Sequence, residues 1–149
     1  MDSTNEFLLR SMIENWIHTR QSEDKRATIA NVILVVASAI QGMLVLVGLD
    51  KKALPLTITL IVLGVYGALA SAKLYERSQF HILRARKLRD RLDELCPEAQ
   101  VQLLQKVAED EHKTHYPVLM NVRLNTIWLG LHTVVAILGV VYTIICLAR

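Results

Sequence analysis

Aromatic residues are scarce in this 149-residue chain, with two Phe, two Trp and four Tyr, and cysteine is scarcer still at two. Two cysteines exclude a disulfide framework. Cys96 falls in a charged segment and Cys146 in an apolar run, so the pair is expected to stay apart and unbonded. Charge is also sparse, at 21% against 52% apolar residues, which excludes a disordered chain. A Gly-rich phosphate loop, a nucleophile elbow and a paired-carboxylate site are all missing, so an enzyme is not expected and no cofactor is called for. The basic cluster of Arg84, Arg86, Lys87, Arg89 and Arg91 has no interleaved aromatics on which bases would stack, so direct nucleic-acid binding is not expected either.

What the chain does have is long apolar runs. Residues 27–49, 55–72 and 126–148 contain no Asp, Glu, Lys or Arg. A helix needs about 18–20 apolar residues to cross roughly 30 Å of hydrocarbon, and each run meets that length. The expected fold is therefore all-α, an integral membrane protein with three transmembrane helices. The divisions are an N-terminal amphipathic helix over 1–26, a transmembrane hairpin over 27–72, a helical segment over 73–123 and a third span over 124–149. The first run starts too late and is too long for a cleavable signal, so the N-terminus is expected to be retained.

Ser3 and Glu6 have the spacing of a capping box. Phe7, Leu8, Leu9, Met12, Ile13, Trp16 and Ile17 then form a one-sided stripe, which lies on the membrane surface or packs on later helices. Only residues 50–54 separate the first two runs, so these make a tight hairpin, with Pro55 in the first turn of the second helix. Ten Lys or Arg fall in 73–123, against two in the hairpin loop. That bias places the N-terminus and residues 73–123 in the cytoplasm and the C-terminus outside; Lys51 and Lys52 oppose it weakly.

The second helix has no breaker before Pro97, and Leu74, Ser78, His81, Ala85, Leu88, Leu92 and Leu95 alternate by four and three, the seam of a coiled stalk. Arg77, Arg84 and Arg91 make a ridge on another face. After Pro97 a helix over 98–113 is expected to fold back through Val101, Leu104 and Val107 or Ala108.

Small residues at Gly64 and Gly67, and Ser38 with Gly42, allow close helix packing within one chain or between copies. Asn31, Gln41 and His132 are polar groups within the spans and need partners there, which for Asn31, near the start of its span, can be water. Gln41 is the candidate for lining a pore or bonding across subunits, and His132 for an interfacial hydrogen bond. Arg77 and His81, one turn apart, read either as a phosphate-binding pair or as a snorkelling cation with a seam histidine. Arg84, Arg86, Lys87, Arg89 and Arg91 suit lipid headgroups or an acidic partner surface. Glu109, Asp110, Glu111, His112 and His115 read as a solvated helix end, so no metal site is assigned.

The segment Leu74-Tyr75-Glu76-Arg77-Ser78-Gln79-Phe80-His81-Ile82-Leu83-Arg84-Ala85-Arg86-Lys87-Leu88-Arg89, following a membrane hairpin, resembles the SLATT-type bacterial membrane effectors over about residues 17–95. The third span goes beyond their two-span pattern. The resemblance implies an oligomeric effector of the bacterial inner membrane in anti-phage defence. A cytoplasmic sensor or nucleotide-signalling protein detects the phage, and the membrane protein then assembles or opens and compromises the bilayer. The alternative is a non-conducting scaffold that recruits a cytoplasmic partner.

Overall fold

The computed structural model describes residues 3–149. Among the described residues the chain is almost entirely helical, without strands, and holds four α-helices: α1 (Ser3–Val47), α2 (Leu54–Leu95), α3 (Val101–His115) and α4 (Leu124–Ala148). Three of them, α1, α2 and α4, are long and apolar enough to cross a membrane. The expected division after Arg26 does not interrupt the backbone: no Gly or Pro lies between Ser3 and Ile40, and α1 runs on as one helix of 45 residues. Glu6 takes a hydrogen bond from Arg10 one turn later, at 2.5 Å, instead of closing a capping box on Ser3.

Two compact units are distinguished. One contains Asp24–Tyr75 and Leu124–Arg149. At its tip α1 ends on Gly48, whose φ of 84° lies in the left-handed region open to glycine and whose N–H donates to the Leu44 carbonyl. Asp50 accepts the Lys52 N–H at 2.8 Å and starts a short turn of 3₁₀ helix, and Pro55 then occupies the first turn of α2. These local devices reverse the chain within a few residues.

The core of this unit is a zip of small and branched residues. Ala30, Ile33, Ala37, Ile40 and Leu44 are buried on α1 with a spacing of three and four; α2 contributes Thr57, Leu60, Gly64, Gly67 and Ser71, and α4 His132, Val135, Gly139 and Cys146. The glycines are where backbones touch. A Cβ on Gly64 would lie 2.4 Å from the Ala136 nitrogen, and one on Gly139 2.7 Å from the Ile61 nitrogen. Thr143 Oγ1 bonds Thr57 Oγ1 at 2.8 Å in the same antiparallel register. Large apolar side chains such as Val45, Leu46 and Leu69 point away from the core, as lipid-facing groups would.

The other unit joins the N-terminal stretch up to Glu23 with Glu76–Arg123. Of the two expected placements of the α1 stripe, packing on later helices is not the one seen. Phe7, Ile13, Trp16 and Ile17 are exposed, and α1 buries Asn15, Thr19 and Ser22 against a face of α2 that includes Ser78, His81 and Ala85. The polar groups bury cheaply because each is satisfied within its own helix: Asn15 donates to Ser11 O, Thr19 to Asn15 O and Ser22 to His18 O. Their small size admits close approach, which Trp16 or Phe7 would block. The stalk seam at Ser78, His81 and Ala85 lies where the four-three spacing places it, and α2 ends at Leu95, just before Pro97.

Helix α3 starts three residues later than expected, capped by Asp93, which accepts the N–H groups of Val101 at 2.8 Å and Gln102 at 3.4 Å. It returns along α2 with its polar side inward: Gln102, Gln105 and Lys106 share a cleft with Arg89 and Asp90. Val101, Leu104, Val107 and Ala108, the expected docking face, are exposed.

Gly64→Val is expected to destabilise the chain by about 1–3 kcal/mol, because β-branched bulk must separate two backbones. Gly42→Ala, at a site with nothing within 4 Å, is expected to leave stability within about 0.5 kcal/mol. Reversible unfolding in mixed micelles compares the two.

Candidate functional site

Among the described residues, a charged group is buried near the ends of the three apolar runs. Arg26 immediately precedes the first run, Ser71 closes the second and Asn125 precedes the third. The Arg26 side chain is 1% exposed. Its Nε donates to Ser71 Oγ at 2.8 Å and its Nη2 to Asn125 Oδ1 at 2.5 Å. The guanidinium carbon is 5.4 Å from the Tyr75 ring centroid and 5.8 Å from that of Trp128. One side chain on α1 thus engages α2 and α4 together. Only a planar fork with donors pointing in several directions does this, and the two rings add cation–π attraction of about 0.5–2 kcal/mol each. Desolvating a lone guanidinium would cost several kcal/mol; these contacts offset that.

One to two turns further along α4 the site is closed to the surface. His132 is fully buried, and neither ring nitrogen has a partner among the described residues; nor has Trp128 Nε1. The imidazole occupies the notch that Gly67 leaves, since a Cβ there would lie 2.4 Å from His132 Nδ1 and 2.7 Å from Ile33 Cδ1. Gly67 and His132 are therefore brought together, and Gly64 packs within the same chain. The hydrogen bond expected of His132 is not made here.

The remaining expected residues are placed elsewhere. Gln41 is half-buried and lines a groove of about 340 Å³ with Leu44, Gly48, Leu49, Tyr142 and Arg149 at the hairpin end of this unit. Ser38 and Gly42 face outward. In the other unit His81 Nδ1 lies 3.0 Å from Asn15 Oδ1, and its ring is 5.0 Å from that of His18. The Asn15 amide nitrogen already donates to Ser11, so its oxygen accepts and His81 carries its proton on Nδ1. Arg77, Arg84, Arg86, Lys87 and Arg91 are exposed on α2; Arg91 pairs with Glu94 at 2.7 Å.

Reading the sequence for chemistry missed Tyr75, Asn125 and Trp128, took Arg26 only for a basic residue before the first run, and took Ser71 only for one of the small residues that let helices approach. Arg26 looks like one more boundary cation, because basic residues beside a span ordinarily snorkel. The available signal was its spacing: four residues after Ser22 and four before Ala30, it occupies the buried side of α1.

Compared with protein-family models, curated proteins and solved structures, the chain matches none of them. The SLATT-like resemblance accordingly rests on the residues of this chain alone.

Arg26→Ala is expected to lower stability by at least about 1.5–3 kcal/mol, the usual worth of a hydrogen bond to a charged group. Arg26→Lys is expected to recover only part, since an ammonium cannot replace the fork; unfolding in mixed micelles measures both. A second expectation concerns pH. Burial holds the His81 pKa below its ordinary 6.5, helped by His18, Arg77 and Arg84. The unfolded chain therefore takes up a proton before the folded one does. Stability from this group is complete above about pH 6.5 and falls as pH drops below it. Thermal melts from pH 7.5 to 5 are expected to show this slope, and His81→Gln to flatten it.

Proposed function

We propose that the chain is an oligomeric membrane effector, with its N-terminus and residues 73–123 on the cytoplasmic side, which perturbs or permeabilises the bilayer. The carrying observation is how the small and polar residues are used. Gly64, Gly67 and Gly139 are spent on contacts within the chain, whereas Asn31, Ser38 and Gly42 face outward from α1. An outward amide, hydroxyl and glycine in an apolar helix find their best partners on the same surface of another copy, where close backbones and interhelical hydrogen bonds replace lipid. Within one copy Ile40, Leu44, Leu60 and Val135 fill the core, so an aqueous path needs several copies, lined by groups such as Gln41. Bacterial anti-phage defence, in which a cytoplasmic sensor or nucleotide-signalling protein triggers assembly at the inner membrane, is the setting that the SLATT-like likeness supplies.

The filled core favours a second reading as well, a non-conducting scaffold that presents the cytoplasmic helices to a partner. Purified protein in dye-loaded liposomes separates the two. Release is expected to rise steeply with protein density and to drop about tenfold in Asn31→Leu/Gly42→Leu. Gln41→Leu is expected to slow release while leaving assembly intact. Absence of release at every density would leave the scaffold.

A further inference from the structure

The unit containing Glu76–Arg123 exposes two surfaces that match each other but do not meet within one chain. On α2, Arg77, Arg84, Arg86 and Lys87 are exposed, and none enters an ion pair among the described residues. The same stretch exposes Phe80 (52%) and Leu83 (56%), with the Arg84 guanidinium 5.6 Å from the Phe80 ring centroid. Cations framing exposed apolar side chains suit an acidic amphipathic helix.

Helix α3 has that chemistry. Leu104 and Val107 are 64% and 58% exposed, and Glu111 follows them at helical spacing on the same side. Glu109 and Asp110 are engaged locally, with Gln105 and Lys113, but the Glu111 carboxylate has no ion-pair partner among the described residues. The opposite side of α3 is turned to its own α2, through the Asp93 cap and the cleft at Arg89 and Asp90. Its apolar, acidic side therefore faces away from its own basic surface.

Height supplies the register. Asp93 is level with Val101, and Arg89 with Gln105, so α3 descends antiparallel to α2. Both helices rise about 1.5 Å per residue, which puts Val107 level with Lys87 and the Asp110–Glu111 pair level with Leu83 and Arg84. Neighbouring copies of this unit set side by side in one orientation share this register.

We infer that α3 of one copy docks, through Leu104, Val107 and Glu111, on the Leu83, Arg84 and Lys87 face of α2 in a second copy. The donor and acceptor surfaces are different patches of the chain, so the contact is head-to-tail and either closes a ring or extends. This rests on the oligomeric reading above and names the surface that assembly uses outside the lipid.

Charge exchange tests it on the full-length chain, by counting subunits per spot in sparsely loaded zwitterionic vesicles, with helicity of each variant checked by circular dichroism. Arg84→Glu and Glu111→Arg are each expected to weaken association about tenfold or more, since like charges then face each other. The double variant is expected to recover wild-type association. An equal mixture of the two single variants is expected to recover it too, because alternating copies restore opposite charges at every contact. Single variants that associate as the wild type does overturn the inference, and so does weakening that neither the double variant nor the mixture repairs. A chain monomeric at all densities overturns both this contact and the oligomeric reading, leaving lipid or a foreign partner to cover these faces. Loss of association in Asn31→Leu/Gly42→Leu together with indifference to charge exchange overturns this contact and leaves the oligomeric reading standing.

Discussion

A guanidinium deprived of water must be given donors' partners from the protein, and Arg26 takes them from two other helices at once. Ser71 and Asn125 accept its hydrogen bonds, while Tyr75 and Trp128 supply their π-faces. The charge makes the arrangement selective. An apolar side chain at this position would tolerate sliding or rotation of the helices, whereas a directional fork with buried acceptors tolerates neither without stranding a charge. The level at which α1, α2 and α4 meet is thereby set at the end of their apolar runs, and the contacts further along follow from it. Gly67 receives His132, Gly64 lies on Ala136, Leu60 and Ile61 lie on Gly139, and Thr57 bonds Thr143.

The unit around His81 uses the same principle with weaker groups. Its inner face is made of hydroxyls, an amide and an imidazole whose hydrogen bonds are mostly local, so it holds together without a large apolar core. The apolar side chains left over, on the first turns of α1, on α2 at Phe80 and Leu83 and on α3, point outward. A helix pair that buries polar residues and exposes apolar ones presents surfaces suited to partners or lipid, which fits the functional reading above better than a free-standing soluble module would.

Much of the architecture was legible in advance because it depends on local constraints. Runs without charge gave the three long helices, Pro55 and the residues around Asp50 gave the hairpin, Pro97 gave the end of α2, and the four-three spacing of Ser78, His81 and Ala85 gave their burial. What misled was amphipathicity. The set Val101, Leu104 and Val107 looked like a docking face for α2 yet is exposed, and the stripe from Phe7 to Ile17, which could have lain on the membrane or on later helices, points largely outward. Periodicity reports that a helix has two unlike sides; it does not report which side its neighbour can approach. Small polar residues that satisfy themselves within a helix, such as Thr19 and Ser22, compete well for the closer contact, and α3 borders α2 through Gln102 and Gln105, not through its apolar side.

By itself the order of amino acids determined the number of long helices, their ends and the reversals between them, because chain length, proline, glycine and unbroken apolar runs act over a few residues each. Only the folded arrangement decided that Arg26 is a buried clamp and not a surface cation, that Gly64, Gly67 and Gly139 are consumed within the chain, and that Gln41 borders a groove with Tyr142 and Arg149. Each of those outcomes depends on residues separated by tens of positions arriving at the same depth. Long-range register of that kind has no local signature, since it is set by which buried polar groups must be satisfied together.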